Sequence, residues 1–228
     1  MYSSFDIKID AAKKKKILQD WLKEFPTFGK EKSLAISRRV GPILISIGFE
    51  VRYQTEYRMS SSVCNLMDVE KNLYSSLSQE PKSRRYRLAW DQHEKGLYKE
   101  AAAELRAQSL VPLEGPLTLS QLLEAYEKEL QAPGFFMNRL EDPVLTAAWA
   151  GKQELAQQLA LKNASDWKDS IKNERQEIIE RMFPRIDEWY EKLLFKISNR
   201  DRLHALIEEA VVKYKLEKLP YEDLIIDM

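Results

Sequence analysis

The sequence predicts an α+β protein in which an N-terminal helix and a small antiparallel sheet are followed by a mostly α-helical body. Three observations predict this class. β-Branched residues are concentrated in ILISIGFEVRY (43–53), and polar and apolar residues alternate in YQTEYRMSSSVCNLM (53–67). From residue 91 onward, apolar residues recur at helical spacing instead. A chain of 228 residues, 44% of them hydrophobic, is large enough to bury a substantial core.

The N-terminal half provides the first helix and the strands. Residues 11–24 place Ile17, Leu18 and Trp21 on one helical face, and Pro26 ends that run. Gly41-Pro42 predicts a turn before the strand that begins at 43. The polar stretch 75–85 predicts a loop, and 86–90 predicts either a short strand or the start of a helix.

The C-terminal half is predicted to be helical. Residues 91–110 favour a helix that Gly96 divides, and the connector 110–117 contains two prolines and a glycine. We take this connector as the boundary between an α+β part, 1–112, and a helical part, 113–228, of one compact unit.

Further helices are expected beyond that boundary. One carries the stripe Leu119, Leu122, Leu123, Tyr126 and Leu130, one runs from about Ser165 to Phe183, one begins at Pro184, and one follows Asn199. The tail KLPYEDLIIDM (218–228) predicts a short closing strand or an exposed peptide.

One stretch, DPVLTAAWAGKQELAQQLAL (142–161), resembles a single ankyrin-type helix pair. Its small residues Ala147, Ala148 and Gly151 and the later Leu155 and Leu159 carry the resemblance. A stable array needs roughly three or more such units, and the pattern occurs once. The stretch therefore predicts a packed helical hairpin in a non-repetitive body, and we expect any partner contact to lie elsewhere.

Charge and cysteine content restrict the partners and the compartment. Lys and Arg total 36, as do Asp and Glu, so no net charge attracts nucleic acid or an anionic membrane. Cys64 is the only cysteine, which excludes an internal disulfide and favours a reducing compartment. No segment reaches the roughly 20 apolar residues that span a bilayer. We expect a cytoplasmic protein without a membrane partner.

The sequence contains no established catalytic or cofactor motif. HExxH, paired CxxC, Walker, GxSxG and GxGxxG patterns are all absent, so neither a cofactor nor a metal is predicted and no catalytic residue is assigned. An alternative hypothesis is an enzyme with a dispersed carboxylate and histidine site. Its best residue is His93, which has Asp91 and Glu94 beside it in the sequence.

The leading hypothesis is a non-enzymatic protein-binding module, with a bacterial immunity or antitoxin-like protein that occludes a toxin as its specific form. Tyr and Arg anchor many interfaces, and segregated charge gives specificity. The candidate partner-binding residues are Arg52, Tyr53, Tyr57, Arg58, Arg84, Arg85, Tyr86, Glu124 and Glu127. A further alternative is a nucleic-acid-associated factor that uses the basic segment 82–90, although the zero net charge makes nucleic acid the less favoured partner.

Overall fold

The structure is a computed structural model that describes residues 8–31, 34–68, 75–80, 87–131, 140–172 and 174–228. The helices are α1 (Ala11–Glu24), α2 (Trp90–Glu94), α3 (Tyr98–Gln108), α4 (Leu119–Leu130), α5 (Glu141–Trp149), α6 (Gln153–Ser170), α7 (Gln176–Ile197) and α8 (Arg200–Tyr214). The strands are β1 (Gly29–Lys30), β2 (Ala35–Val40), β3 (Ile43–Arg52), β4 (Glu56–Asn65), β5 (Ser75–Gln79), β6 (Arg87–Ala89) and β7 (Tyr221–Glu222). These elements confirm the predicted α+β class.

The strands form one sheet that is antiparallel except at its last strand. The order is β1-β2-β3-β4-β5, and β6 pairs with the beginning of β4 while β5 pairs with its end. On the other side of the sheet, β1 and the parallel strand β7 share the free edge of β2. Strand β7 therefore pairs with the edge of β2, so of the two alternatives predicted for 218–228, a short closing strand or an exposed peptide, the structure has the strand at Tyr221–Glu222.

The long hairpin β3–β4 confirms the two predicted strands. Its turn contains Tyr53 and Gln54, both with positive φ, and the predicted turn at Gly41-Pro42 joins β2 to β3. Residues 87–90 combine the two alternatives expected for this segment, because strand β6 runs directly into α2 at Trp90.

The loop predicted for 75–85 is wrong over 75–79, which forms β5. Leu77 is buried, but β5 has no hydrophobic run. Backbone hydrogen bonds to β4 therefore define this strand. The remaining residues 81–86 of that prediction lie outside the described part of the chain.

One face of the sheet packs against α1, α3 and α4. α1 begins at the cap residue Asp10, whose side chain accepts a hydrogen bond from the Lys13 amide at 2.9 Å. The buried residues of α1, with Trp21 at their centre, contact inward-facing strand residues such as Ile47 and Met59. Packing of this amphipathic face explains why a lysine-rich segment is helical.

Helices α5 to α8 form a second cluster against Leu44, Cys64 and neighbouring residues at one end of the sheet. The predicted helical hairpin is confirmed in α5 and α6, where buried alanines allow close approach and Gly151 has a φ of 78° in the connecting turn.

The helix boundary predicted at Pro184 is wrong. The chain leaves the helix after Ser170, and Pro184 lies inside α7. A proline removes one helical N–H, and here the apolar stripe continues beyond it through Ile186, Leu193 and Ile197, all buried. Packing of this stripe therefore preserves the helix despite the proline.

The connector 110–117 is not helical, as expected, and it packs closely with the α+β part. Its Leu113 and Leu117 are buried in the first cluster, and α4 follows them into that cluster. The proposed division at 112/113 stays a prediction. Within the described residues, no helix is both long enough and apolar enough to cross a membrane.

Candidate functional site

The structure separates the candidate partner-binding residues. Tyr57 is completely buried, so the expectation that it lies on an exposed face is wrong. In β4, Tyr57 alternates with outward-facing Glu56 and Arg58 and points into the core together with Met59. The strand does have an exposed face, but the tyrosine occupies the other one.

Arg52, Tyr53 and Arg58 come together at the β3–β4 hairpin. Tyr53 is 81% exposed in the turn, whereas both arginines bond to Glu50, at 2.7 and 2.8 Å. The two cations therefore already have a carboxylate partner. Whether this hairpin contacts another protein stays a prediction.

The other candidates lie on α4 or outside the description. Glu124 and Glu127 are exposed and pair with Lys128 and Lys162, respectively. Arg84, Arg85 and Tyr86 fall outside the described residues, as does most of the basic segment proposed for nucleic acid.

His93 lies in a buried hydrogen-bond network and not in an open cleft. Its side chain is 1% exposed, with Nε2 3.2 Å from Oδ2 of Asp20 and Nδ1 2.8 Å from the Tyr57 hydroxyl. Trp21 Nε1 donates to that hydroxyl at 3.1 Å. The nearby acids Asp91 and Glu94 are exposed instead, so the acid expected from sequence proximity is not the partner.

The network fixes the charges of its members. Burial alone raises the pKa of Asp20, but hydrogen bonds from Lys16, Lys23 and His93 outweigh it and lower that pKa to about 2. Burial lowers the pKa of His93 despite the adjacent Asp20, and burial raises the pKa of Tyr57. His93 is therefore neutral, and the adjacent Asp20 is ionised. With its ring buried, His93 takes part in a network that links α1, α2 and β4.

A groove at the opposite end of β3 combines charged and aromatic side chains. We call it the C-terminal groove; its volume is about 440 Å³ and its lining residues are Arg39, Gly41, Trp149, His204, Ile207, Glu208, Val211, Glu217 and Tyr221. β3 has ten residues, so the groove and the Tyr53 hairpin are separated by roughly 30 Å along the strand. The groove is therefore distinct from the hairpin surface predicted from the sequence.

Arg39 carries the positive charge of the groove. β7 pairs with β2 so that Tyr221 lies opposite Arg39, and the guanidinium carbon lies 5.1 Å from the Tyr221 ring centroid. Its Nε is buried without an acceptor, and no carboxylate of the described residues is within ion-pair distance. The adjacent Arg38 differs sharply, since it donates to two carbonyls and to Glu222.

The groove also contains two carboxylates that lack a basic partner. Over the described ranges, neither Glu208 nor Glu217 forms an ion pair, although both are exposed. Apart from His204, the lining therefore has two negative charges and one positive charge. These charges are available to a bound molecule.

The aromatic wall depends on a glycine. Gly41 has a φ of 52°, and a Cβ there would lie 2.9 Å from the Trp149 ring and 2.8 Å from Leu224. Only glycine lets the indole lie against this turn. Trp149 is tilted against His204 at 5.6 Å, and its buried Nε1 has no acceptor.

A second groove of about 400 Å³ lies beside exposed Phe195 on α7. Its two cations are already paired, Lys196 with Glu141 and Arg202 with Glu209. The C-terminal groove, whose charges have no ion-pair partner among the described residues, is therefore the better candidate site.

No known protein guides the interpretation further. No protein-family model, curated protein or solved structure matches this chain. In the described part of the chain, no group of three or more His, Cys, Asp or Glu residues could hold a metal ion. The geometry of the groove is therefore the basis for a functional proposal.

Proposed function

We propose that the protein is a non-enzymatic binding module that holds a polypeptide partner in the C-terminal groove. The observation that carries this proposal is the Arg39 guanidinium, which lies over the Tyr221 ring in an open groove without an acceptor from the described residues. A cation without a counter-charge in a partly desolvated position is stabilised when a ligand supplies an anion or carbonyl.

The residue types favour a protein as the ligand. Trp, Tyr and Arg are the side chains that most often dominate binding energy at protein interfaces. The groove volume lies within the roughly 300–1,000 Å³ range of ligand sites. Glu208 and Glu217 would repel a phosphate backbone, so nucleic acid fits this groove poorly.

The specific form that we propose is an immunity or antitoxin-like protein in the cytoplasm of a bacterium. Occluding a toxin requires a complementary surface and no catalytic motif, and the lone cysteine suits a reducing compartment. Burial raises the pKa of Cys64 to about 12, so this thiol stays protonated and unreactive. Co-expression with a toxin encoded by the neighbouring gene should restore growth; toxicity that persists unchanged would refute this form.

Site-specific photo-crosslinking tests the binding module itself. Val212 lies one helical turn after Glu208 and is 65% exposed, so benzoylphenylalanine at this position samples the groove rim. The matched control is Leu161, which is 60% exposed on α6 and does not line the groove. In native extract, we expect one protein to crosslink from position 212, not from 161, and to be lost with Arg39→Glu. Equal crosslinking from both positions, or none from 212, would contradict the proposal.

A further inference from the structure

We infer that the groove recognises the C-terminal Lys or Arg of a partner polypeptide. This inference rests on the proposed function and specifies its ligand. A C-terminal basic residue carries a carboxylate and a cation on one residue. These are the two groups that the unpaired charges of the C-terminal groove require.

The carboxylate is assigned to Arg39 by comparison with its neighbour. Arg38 is fully buried and bonds to the carbonyls of Pro112 and Gly115 and to Glu222, at 3.0 to 3.1 Å. Arg39 points to the other face of the sheet, where Tyr221 holds its guanidinium and the described residues provide no acceptor. A planar guanidinium with free terminal nitrogens suits a carboxylate that binds both of them.

The basic side chain is assigned to Glu208 and Glu217. Some exposed acids elsewhere on the helices have lysine partners, as Glu124, Glu127 and Glu188 do. Glu208 and Glu217 have none in the described ranges, and both line the same groove as Arg39. An ammonium or guanidinium group there would gain two carboxylates.

The aromatic side chains line the same groove as the charged ones. Tyr221 contacts Arg39, and Glu208 lines the groove with them. Trp149 forms another wall through its contact with Gly41. The methylene chain of Lys or Arg packs well on such rings, and its charged end is favoured over their faces.

Four tetrapeptides test the inference on the full chain. The first is acetyl-Gly-Gly-Leu-Lys with a free carboxylate. The others are its C-terminal amide, its norleucine analogue, and acetyl-Gly-Asp-Lys-Gly-amide, which presents the same charges internally. Binding is followed by the indole N–H signal of Trp149 in a 1H–15N spectrum, assigned from its loss in Trp149→Phe. We expect the free Lys peptide to move this signal and to bind at least tenfold more tightly than the other three.

Matched variants separate the two charges. Arg39→Leu should make the acid and amide bind equally, and Glu208→Gln with Glu217→Gln should abolish the preference for Lys over norleucine. Lys192→Leu removes a cation on α7 that is already paired with Glu188 and does not line the groove, and it should change neither preference.

The inference is overturned if the amide or the internal peptide binds as tightly as the free Lys peptide, or if no peptide moves the Trp149 signal. These comparisons use the unaltered protein, so they hold even if a variant fails to fold. If the peptides show no such preference but position 212 still crosslinks specifically, a protein binds the groove through other chemistry. Loss of that crosslink would instead contradict the proposed function.

Discussion

At the residue scale, the Asp20–His93–Tyr57 network assigns one tautomer to the histidine. Asp20 is ionised and can only accept, so His93 carries its proton on Nε2 and donates to it. Nδ1 then accepts from the Tyr57 hydroxyl, whose oxygen accepts from Trp21. Protonation of Nδ1 would take away the acceptor of the Tyr57 hydroxyl proton and place a charge in a buried site, and both effects favour the neutral ring.

Removing the hydroxyl of Tyr57 tests this network. Tyr57→Phe leaves the Trp21 N–H and the Nδ1 of His93 without partners in a buried site. We expect the free energy of unfolding to fall by about 2 kcal/mol. Tyr53→Phe is the matched control, because that tyrosine is exposed and should change stability by less than about 0.5 kcal/mol. Urea denaturation gives both values, and equal effects would contradict the network's role.

The free energy of unfolding is expected to depend on pH through His93 and Asp20. Because the pKa of His93 is lowered from 6.5, the unfolded chain binds a proton more readily than the folded protein. Its contribution to stability is therefore complete above pH 6.5 and declines as the pH falls below it. Asp20 adds a second decline from about pH 3.8 towards its folded pKa of about 2.

An NMR titration tests whether the pKa of His93 is lowered. His204→Gln removes the only other histidine, so the remaining imidazole signal belongs to His93. We expect it to titrate below 6.5, or to stay neutral until the protein unfolds. A midpoint above 6.5 would show that Asp20 dominates over burial, contrary to our assignment.

At the element scale, periodicity predicted the helices and strands whose stability comes from burying one face. α1 and β4 are of this kind, because apolar residues recur at helical spacing in α1 and alternate along most of β4. β3 does not alternate; it is buried over most of its length, as its β-branched residues indicate. β5 was missed because backbone pairing, not side-chain pattern, makes it a strand. Pro184 predicts a helix boundary because proline commonly ends a helix, but tertiary packing keeps α7 continuous across it.

The turn between β2 and β3 provides a prediction at this scale. Gly41 and Gly115 both have positive φ, but a Cβ at Gly41 would meet Trp149 and Leu224, whereas one at Gly115 meets nothing within 4 Å. We expect Gly115→Ala to cost about 1 kcal/mol from backbone strain alone. Gly41→Ala should cost at least about 2 kcal/mol more, because the packed side chains of Trp149 and Leu224 must move. Equal losses of unfolding free energy would show that the close approach is unimportant.

At the scale of the whole molecule, the candidate site combines parts of the chain that no local pattern connects. Arg39 comes from β2, Trp149 from the end of α5, His204 from α8 and Tyr221 from the tail. The sequence identified the hairpin that contains Trp149 but assigned partner contacts elsewhere. Only the parallel pairing of β7 with β2 brings Tyr221 to Arg39, and such long-range pairing leaves no periodic signal.

Arg38 joins the same distant segments from the inner face of the sheet. It links β2 to the connector through Pro112 and Gly115 and to β7 through Glu222, and its side chain is fully buried. Burial lowers the pKa of Arg38, although Glu222 opposes that shift. The carboxylate therefore offsets the free energy required to bury the charge.

Glu222→Gln tests this linkage because it retains a hydrogen-bond acceptor and removes only the charge. We expect the free energy of unfolding to fall by about 1–2 kcal/mol, since Glu222 is itself partly exposed to water. Asp223→Asn is the control: this neighbouring acid is exposed, and its loss should cost less than about 0.5 kcal/mol. Urea denaturation compares the two, and equal losses would contradict the linkage. Because β7 also aligns Tyr221 with Arg39, Glu222→Gln should weaken binding of the free Lys peptide as well, although residue 222 does not line the groove.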